Sequence, residues 1–477
     1  MESSAAELTD GVVAVVKRDC PTCELVAPVL SELQRRGVAL TVYTQDDPTF
    51  PEGVTRLIHD ADLAVSYHHQ IETVPTLLRI EAGQETARTE GWSRPAWEQL
   101  TGLSDLGAGL ADYRPGCGSM SVDPAIVDQL RVRFEGGVLQ ARRLELASLE
   151  DEMEALFERE WTDGLPVVPP TEARVLRMLE GTHRAADEIV AVVPPQLVAC
   201  TVEKVAINAV MAGCKPEYLP IVLAAVEAAC TDTFNIHGLL CTTYFSGPLL
   251  IVNGPLASRV GMTSGHNVLG QGNRANSTIG RALQLVIRNV GGGRPGRHGI
   301  DRSAFGAPSK LGWAMSENEA DLPTGWVPMS VEAGHPEGTD TVSLFAGHGP
   351  SAIVDQLSRR AEDLIDAFVR RVSANIDPFF ARRLDNMLLV IGPEHGRVFS
   401  QDGWDKARVR GELNERVFAQ LAKSTPAPRW DGPAIVYAGG DAGLFSALIE
   451  GWVSGPTGSQ MICHPIQTSA HNEGANR

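Results

Sequence analysis

Val12-Val-Ala-Val-Val-Lys-Arg-Asp-Cys-Pro-Thr-Cys-Glu-Leu-Val26 decides the reading of the first hundred residues. The unbroken apolar run Val12 to Val16 fits a strand covered on both faces. Leu25, Val26, Val29, Leu30 and Leu33 then recur at helical spacing, Gly37 ends that helix, and Val38 to Tyr43 reads as the next strand. Thr76 to Ile80, with a turn at Ala82-Gly83, predicts a closing hairpin, and Arg94 to Leu100 a last helix. Cys20-Pro-Thr-Cys23 therefore falls where a strand passes into a helix. A thiol at a helix start is favoured as the thiolate by unpaired amides and the macrodipole, and the thiolate is the nucleophile. A second thiol one turn on can close a disulfide and release a partner held as a mixed disulfide. Pro21 suits the first helical turn, where an amide hydrogen would have no partner. The competing zinc reading needs two more ligands, for which His59, His68 and His69 are the nearby candidates.

Thr73-Val-Pro-Thr76 precedes the hairpin strand. With the Cys-x-x-Cys turn it makes residues from about 10 to 101 resemble the thioredoxin family. That resemblance implies Cys20 as attacking thiol, Cys23 as resolving thiol and Pro75 as a cis-proline beside the substrate. The sequence departs from the family at Asp19, where thioredoxins usually carry tryptophan, and in its inner Pro-Thr pair. A carboxylate at Asp19 is expected to disfavour the thiolate.

The glycine-rich stretch that follows contains Tyr113-Arg-Pro-Gly-Cys-Gly-Ser119, with Cys117 flanked by glycines as on a flexible turn. A charged amphipathic helix is expected from about Val138 to Glu160, and Trp161-Thr-Asp-Gly-Leu-Pro-Val-Val-Pro-Pro170 marks a boundary. The predicted domains are 1–106, a connector 107–160, and 161–477. Tyr113 to Ser119 is similar to the segment that names the UGSC family of (seleno)proteins, in which selenocysteine can stand at the place of Cys117. The likeness continues through Trp161 to Pro166 and implies a redox-active or nucleophilic sulfur at Cys117. Met120 stands where that motif has its last cysteine, so Cys23 or a substrate thiol would have to resolve Cys117.

The 477 residues imply two or three domains, and the net charge of −18 argues against nucleic acid or an anionic membrane as partner. No apolar run reaches the roughly 18–20 residues of a membrane span. The start lacks the basic-then-apolar order of a signal peptide, so a cytoplasmic location is expected. There, eight cysteines are read as catalytic, metal-binding or buried rather than as structural disulfides.

From residue 161, helical patterns alternate with short apolar strands, an α/β organisation. The fold class expected overall is thus α/β, a thioredoxin fold followed by a larger α/β domain. Leu249 to Arg259 and Leu388 to Arg397 both read as strand, Gly-Pro turn, then arginine, which suggests two related halves. His237 and Cys241, four apart, could meet on a helix as a metal site or a nucleophile pair. Gly261 to Arg281 is a polar glycine-rich loop running into a helix; His266, Asn267, Arg274, Asn276 and Arg281 are its candidates for binding an anionic substrate. Glu394 and His395 follow a strand and suit general acid/base work, and Asp441 after a third strand could complete that site.

The leading expectation is a thiol-dependent redox enzyme. Cys20 and Cys23 would exchange electrons with Cys117, which acts on a small polar or anionic substrate held by the C-terminal domain. An external thiol reductant or reductase would restore the thiols. A redox-active disulfide would then be the working group, with a metal ion as an open alternative. Two other classes compete: a carbon–sulfur lyase or sulfur-transfer enzyme carrying sulfur on Cys117, and a redox-sensing binding protein.

Overall fold

Packing divides the chain after Gly137 into two units, each with its own core. The computed structural model describes residues 8–147, 151–296, 299–375, 387–421, 432–452 and 458–468.

In the first unit the apolar run forms β1 (Gly11–Val16), followed by α1 (Pro21–Arg35), β2 (Leu40–Thr44), β3 (Leu57–His59) and α2 (Ala64–His68). The chain continues through β4 (Thr73–Val74), β5 (Thr76–Glu81), β6 (Gln84–Glu90), β7 (Trp92–Ser93) and α3 (Arg94–Thr101). β8 (Tyr113–Arg114), β9 (Cys117–Gly118) and α4 (Val127–Glu135) complete it. The five-stranded sheet runs β3-β2-β1-β5-β6. β1 is parallel to β2 and antiparallel to β5, with Val12 opposite Leu40 and Arg79. Val12 to Val16 are all buried, as a central strand covered on both faces requires. α1 buries Cys23, Val26, Val29, Leu30 and Leu33, the stripe its spacing predicts.

The glycine-rich segment is no linker. Arg114 pairs with Trp92 and Cys117 with Val74 across two short antiparallel ladders. Arg94 donates to the carbonyls of Leu106, Gly107 and Leu110, and Leu106 is fully buried. The unit therefore reaches Gly137 rather than residue 106. Glycine let the backbone approach closely there, which composition alone does not separate from flexibility. The helix expected over 138–160 is also absent from 139–147, and among the described residues of that span its place is taken by the shorter α5 (Glu152–Glu158), capped by Asp151. The amides of Gln140 and Ala141 donate to the buried Glu203 carboxylate at 3.1 and 2.9 Å, a tertiary acceptor in place of a helical one.

The second unit continues from α5 with α6 (Glu172–Leu179), the hairpin β10 (Ile189–Val193) and β11 (Val198–Thr201), α7 (Val202–Ala212), α8 (Leu219–Ala229) and α9 (Ile236–Cys241). Next come β12 (Gly247–Asn253), α10 (Pro255–Arg259), α11 (Arg274–Asn289), β13 (Ala314–Ser316), α12 (Met329–Glu332), β14 (Thr341–Val354) and α13 (Ala361–Ala374). β15 (Met387–Ile391), α14 (Pro393–Gln401), α15 (Lys406–Leu421), β16 (Ala434–Tyr437), β17 (Phe445–Gly451) and β18 (Ile462–Pro465) follow.

The main sheet runs β13-β12-β14-β17-β15-β16, with β18 added to β14. Its order is palindromic. β12 and β13 are parallel, as are β15 and β16, and the long strands β14 and β17 join the two pairs antiparallel at the centre. Each half is thus a strand, a helical crossover, a parallel strand and a central strand. The two Gly-Pro turns noted in the sequence lead into α10 and α14 at equivalent places.

Six of its seven strands, all but β18, contribute to one core of Leu249, Ile251, Met315, Phe345, Leu388, Val390, Val436 and Ile449, and the sheet curls around it. Its two edges meet just beyond β13 and β16: the Asn318 amide donates to the Tyr437 carbonyl at 2.8 Å. No helix among the described residues is long and apolar enough to cross a membrane.

Candidate functional site: a cluster of sulfurs

Cys20 is the N-cap of α1, with extended backbone, and its Sγ accepts from the Cys23 amide at 3.3 Å. β4 runs alongside, with the Val74 carbonyl oxygen 3.5 Å from the same sulfur and a cis Val74-Pro75 bond. The bond before Pro75 is thus cis, next to Cys20. The third sulfur comes from β9, where Cys117 Sγ lies 2.9 Å from Cys20 Sγ.

Several bonds hold that register. Thr22 Oγ1 donates to the Pro115 carbonyl at 2.7 Å, and the Ser119 amide to the Glu72 carbonyl at 2.9 Å. Gln45 Nε2 donates to Ser119 Oγ and to Ser66 Oγ, while its Oε1 accepts from the Met120 amide. Ser121 Oγ donates to the Ile71 carbonyl. Gly116 is required by space: a Cβ there would lie 2.4 Å from Thr73 Cγ2 and 2.7 Å from the Val74 carbonyl oxygen.

The three thiols differ electrically. Cys20 is held at about 5, first by its hydrogen bond with the Cys23 thiol, then by those from Cys117 and the amides of Cys23 and Thr22, against the opposing effect of burial. The carboxylate of exposed Asp19 does not prevent this, contrary to the expectation from sequence. Burial pushes the Cys23 thiol far up, and burial followed by the hydrogen bond to Cys20 raises Cys117. Cys20 and Cys23 are 1% and 0% exposed, whereas Cys117 is half-buried. One acidic sulfur thus sits between two protonated ones, and either neighbour can share a bond with it.

The expected result is a thiolate absorbance that titrates with a midpoint near pH 5 and is lost in Cys20→Ser. Its sign follows from the lowered value. The folded state holds the thiolate, so this contribution to stability is complete above the unfolded thiol range. It disappears as pH falls through about 5.

The candidates in the second unit separate. His266 and Asp441 line a cavity of about 370 Å³ together with Asn318, Asp321, Arg397 and Tyr437. This cavity lies where the sheet edges meet, beyond the carboxyl ends of β13, β15 and β16. Gly440 passes so close to His266 that a Cβ would lie 2.0 Å from its Nδ1. Arg397 pairs with Asp441 at 3.0 Å, so the lining is polar without a surplus of positive charge.

The anion site expected between Arg274 and Arg281 is not formed. Arg281 makes a two-pronged pair with Asp163 at 2.7 and 2.8 Å, and Arg274 Nε donates to the Gly213 carbonyl. Asn276 bonds the backbone of Thr263 with both ends of its amide, and Asn267 donates to the Gln271 carbonyl. These residues fold the crossover upon itself.

Glu394 and His395 are corrected likewise. Glu394 accepts from the Leu444 amide at 2.6 Å. His395 is fully buried, between Ser446 Oγ at 2.8 Å and the Asp355 carbonyl at 3.1 Å, and burial lowers its affinity for a proton. His395 lies on the face of α14 that also buries Val398 and Phe399, and it does not line the cavity. His237 and Cys241 are both exposed on α9, and among the described residues no group of three or more His, Cys, Asp or Glu is placed to hold a metal. Cys200, Cys214 and Cys230 are pushed up to about 12 by burial, as inert core thiols are.

Sequence reading gave no role to Thr22, Gln45 or Ser119 around the sulfurs and took Gly116 for the freedom of a turn; around the cavity it missed Asn318, Asp321 and Tyr437. Arg397 carried a signal there, as the arginine after the second Gly-Pro turn. No family model, no curated protein and no solved structure matches the chain.

Proposed function

We propose that the chain is a thiol–disulfide oxidoreductase of thioredoxin-like type, in which Cys20 exchanges disulfide bonds with Cys117 and Cys23. The reading rests on one observation: the acidic Cys20 sulfur, at the head of α1, lies 2.9 Å from the sulfur of Cys117. Removing two electrons and the single Cys117 proton from that thiolate–thiol pair joins them. Cys23, one turn into the helix, then attacks Cys20 and frees Cys117. The cavity of the second unit, lined by Asp321, Asp441, Arg397 and His266, is the candidate place for a small polar substrate.

Mild oxidation of a Cys23→Ser variant tests the core of this reading. Peptide mapping is expected to recover one internal disulfide, Cys20 to Cys117, because the resolving sulfur is gone. Recovery of Cys20 and Cys117 as two free thiols under conditions that oxidise the wild type would defeat it.

A further inference from the structure

β4 carries the backbone edge nearest to Cys20, and this edge is occupied. Thr73 pairs with Gly118 and Val74 with Cys117, in an antiparallel ladder that the Ser119 amide extends to Glu72. The segment laid on β4 is also bonded to α1, where Thr22 Oγ1 donates to the Pro115 carbonyl. An extended peptide bringing a disulfide to Cys20 would need this edge, since adding a strand to an open edge is how such a segment is held in register. Here the chain's own strand lies in that place and presents its own sulfur. Gly116, with no room for a Cβ, lets it lie flat.

We propose that residues 115–118 are a tethered partner strand filling the groove that a protein substrate would need, so that the sulfurs serve low-molecular-weight disulfides and folded protein disulfides are excluded. This rests on the thiol-exchange reading above. Tethering gives the strand an effective concentration on the order of millimolar, which a diffusing protein has to exceed.

A small disulfide RSSR meets the half-buried Cys117 first. The Cys117 sulfur bonds to one sulfur of RSSR and passes its proton to the Cys20 thiolate. RS⁻ leaves and takes that proton as RSH. Cys20 then attacks the Cys117 sulfur, forms the Cys20–Cys117 disulfide and expels the second RS⁻. Cys23 attacks Cys20, forms Cys20–Cys23 and gives its proton to Cys117. The two electrons that reduced RSSR come from Cys20 and Cys23, and a small dithiol restores them.

The test compares hydroxyethyl disulfide with insulin as oxidants of the full chain, with dithiothreitol as recycling dithiol. The wild type is expected to turn over hydroxyethyl disulfide and to leave insulin nearly untouched. Gly116→Val, which forces the strand off β4, is expected to raise the insulin rate by about tenfold or more, as loss of a millimolar competitor requires. Should that variant not fold, Thr22→Val removes the bond to Pro115 and serves in its place, with faster amide exchange at Ser119 reporting that the strand has loosened. A wild type that reduces insulin as fast as hydroxyethyl disulfide overturns the tethered strand and leaves thiol exchange standing. So does a loosened variant that gains nothing. Turnover of neither oxidant by any form overturns both.

Discussion

Cys20→Ser turns over hydroxyethyl disulfide at no more than about one hundredth of the wild-type rate. Both internal disulfides share the Cys20 sulfur, so neither can close in its absence. The remaining thiols are also poor nucleophiles near neutral pH, since Cys117 and Cys23 are both shifted up. A thiol of pKa 9 is about 1% thiolate at pH 7, against about 99% for one held near 5; lower intrinsic nucleophilicity offsets part of that difference. An adduct formed at Cys117 would then lack the sulfur 2.9 Å away that attacks it, and its release would wait on the slower external dithiol. The variant isolates chemistry from folding, because serine is itself a preferred N-cap residue and can accept from the Cys23 amide as the sulfur does. Unchanged circular dichroism with lost turnover is the expected result, and a variant keeping a tenth of the rate would contradict the role.

The largest effect on stability belongs to the second unit. Lys406 and Glu317 are 2% and 0% exposed at their side chains and pair at 2.7 Å. Glu317 is the hub. Its Oε1 also accepts from the Tyr437 amide at 3.2 Å, and its Oε2 accepts from Asn253 Nδ2 and the Met329 amide at 2.7 Å each. It therefore binds β12, β16 and the approach to α12 at the point where the sheet edges meet. Lys406→Met leaves a buried carboxylate without its cation, which costs about 3–5 kcal/mol. Calorimetry on the full chain is expected to show one transition moving down and another staying in place, since the two units have separate cores. Combining it with Glu317→Leu should recover only part of the loss, because three donors on Glu317 would then lose their acceptor. A shift worth less than about 1 kcal/mol in Lys406→Met would show the pair to be dispensable. Tyr437 and Asn318 line the cavity, so the same variant should also weaken any ligand held there.

Legibility followed the range of the interactions. Cys20, Cys23 and the strand–turn–helix around them were plain, because helix caps and apolar periodicity act over a few residues. The repetition of Leu249 to Arg259 in Leu388 to Arg397 pointed to the two halves for the same reason. Glu394, His395, Arg274, Arg281 and Asn276 were misread together, since each has the residue type of an active-site group. Whether such a side chain faces a cavity or satisfies a buried carbonyl depends on partners as distant in sequence as Asp163 is from Arg281. The helix expected from Val138 failed similarly, when Glu203 took the amides it needed.

Local chemistry along the chain was enough to place Cys20 at a helix start with Cys23 one turn on, and to give the α/β alternation, because these depend on the period and spacing of adjacent residues. Only the folded molecule could bring Cys117 from ninety-seven residues away to within 2.9 Å of Cys20 and lay its strand on β4. Only the curled sheet could join the ends of β13 and β16 around one cavity. Those placements depend on backbone edges and close glycine contacts between distant segments. A linear pattern of residue types holds no record of which edge meets which.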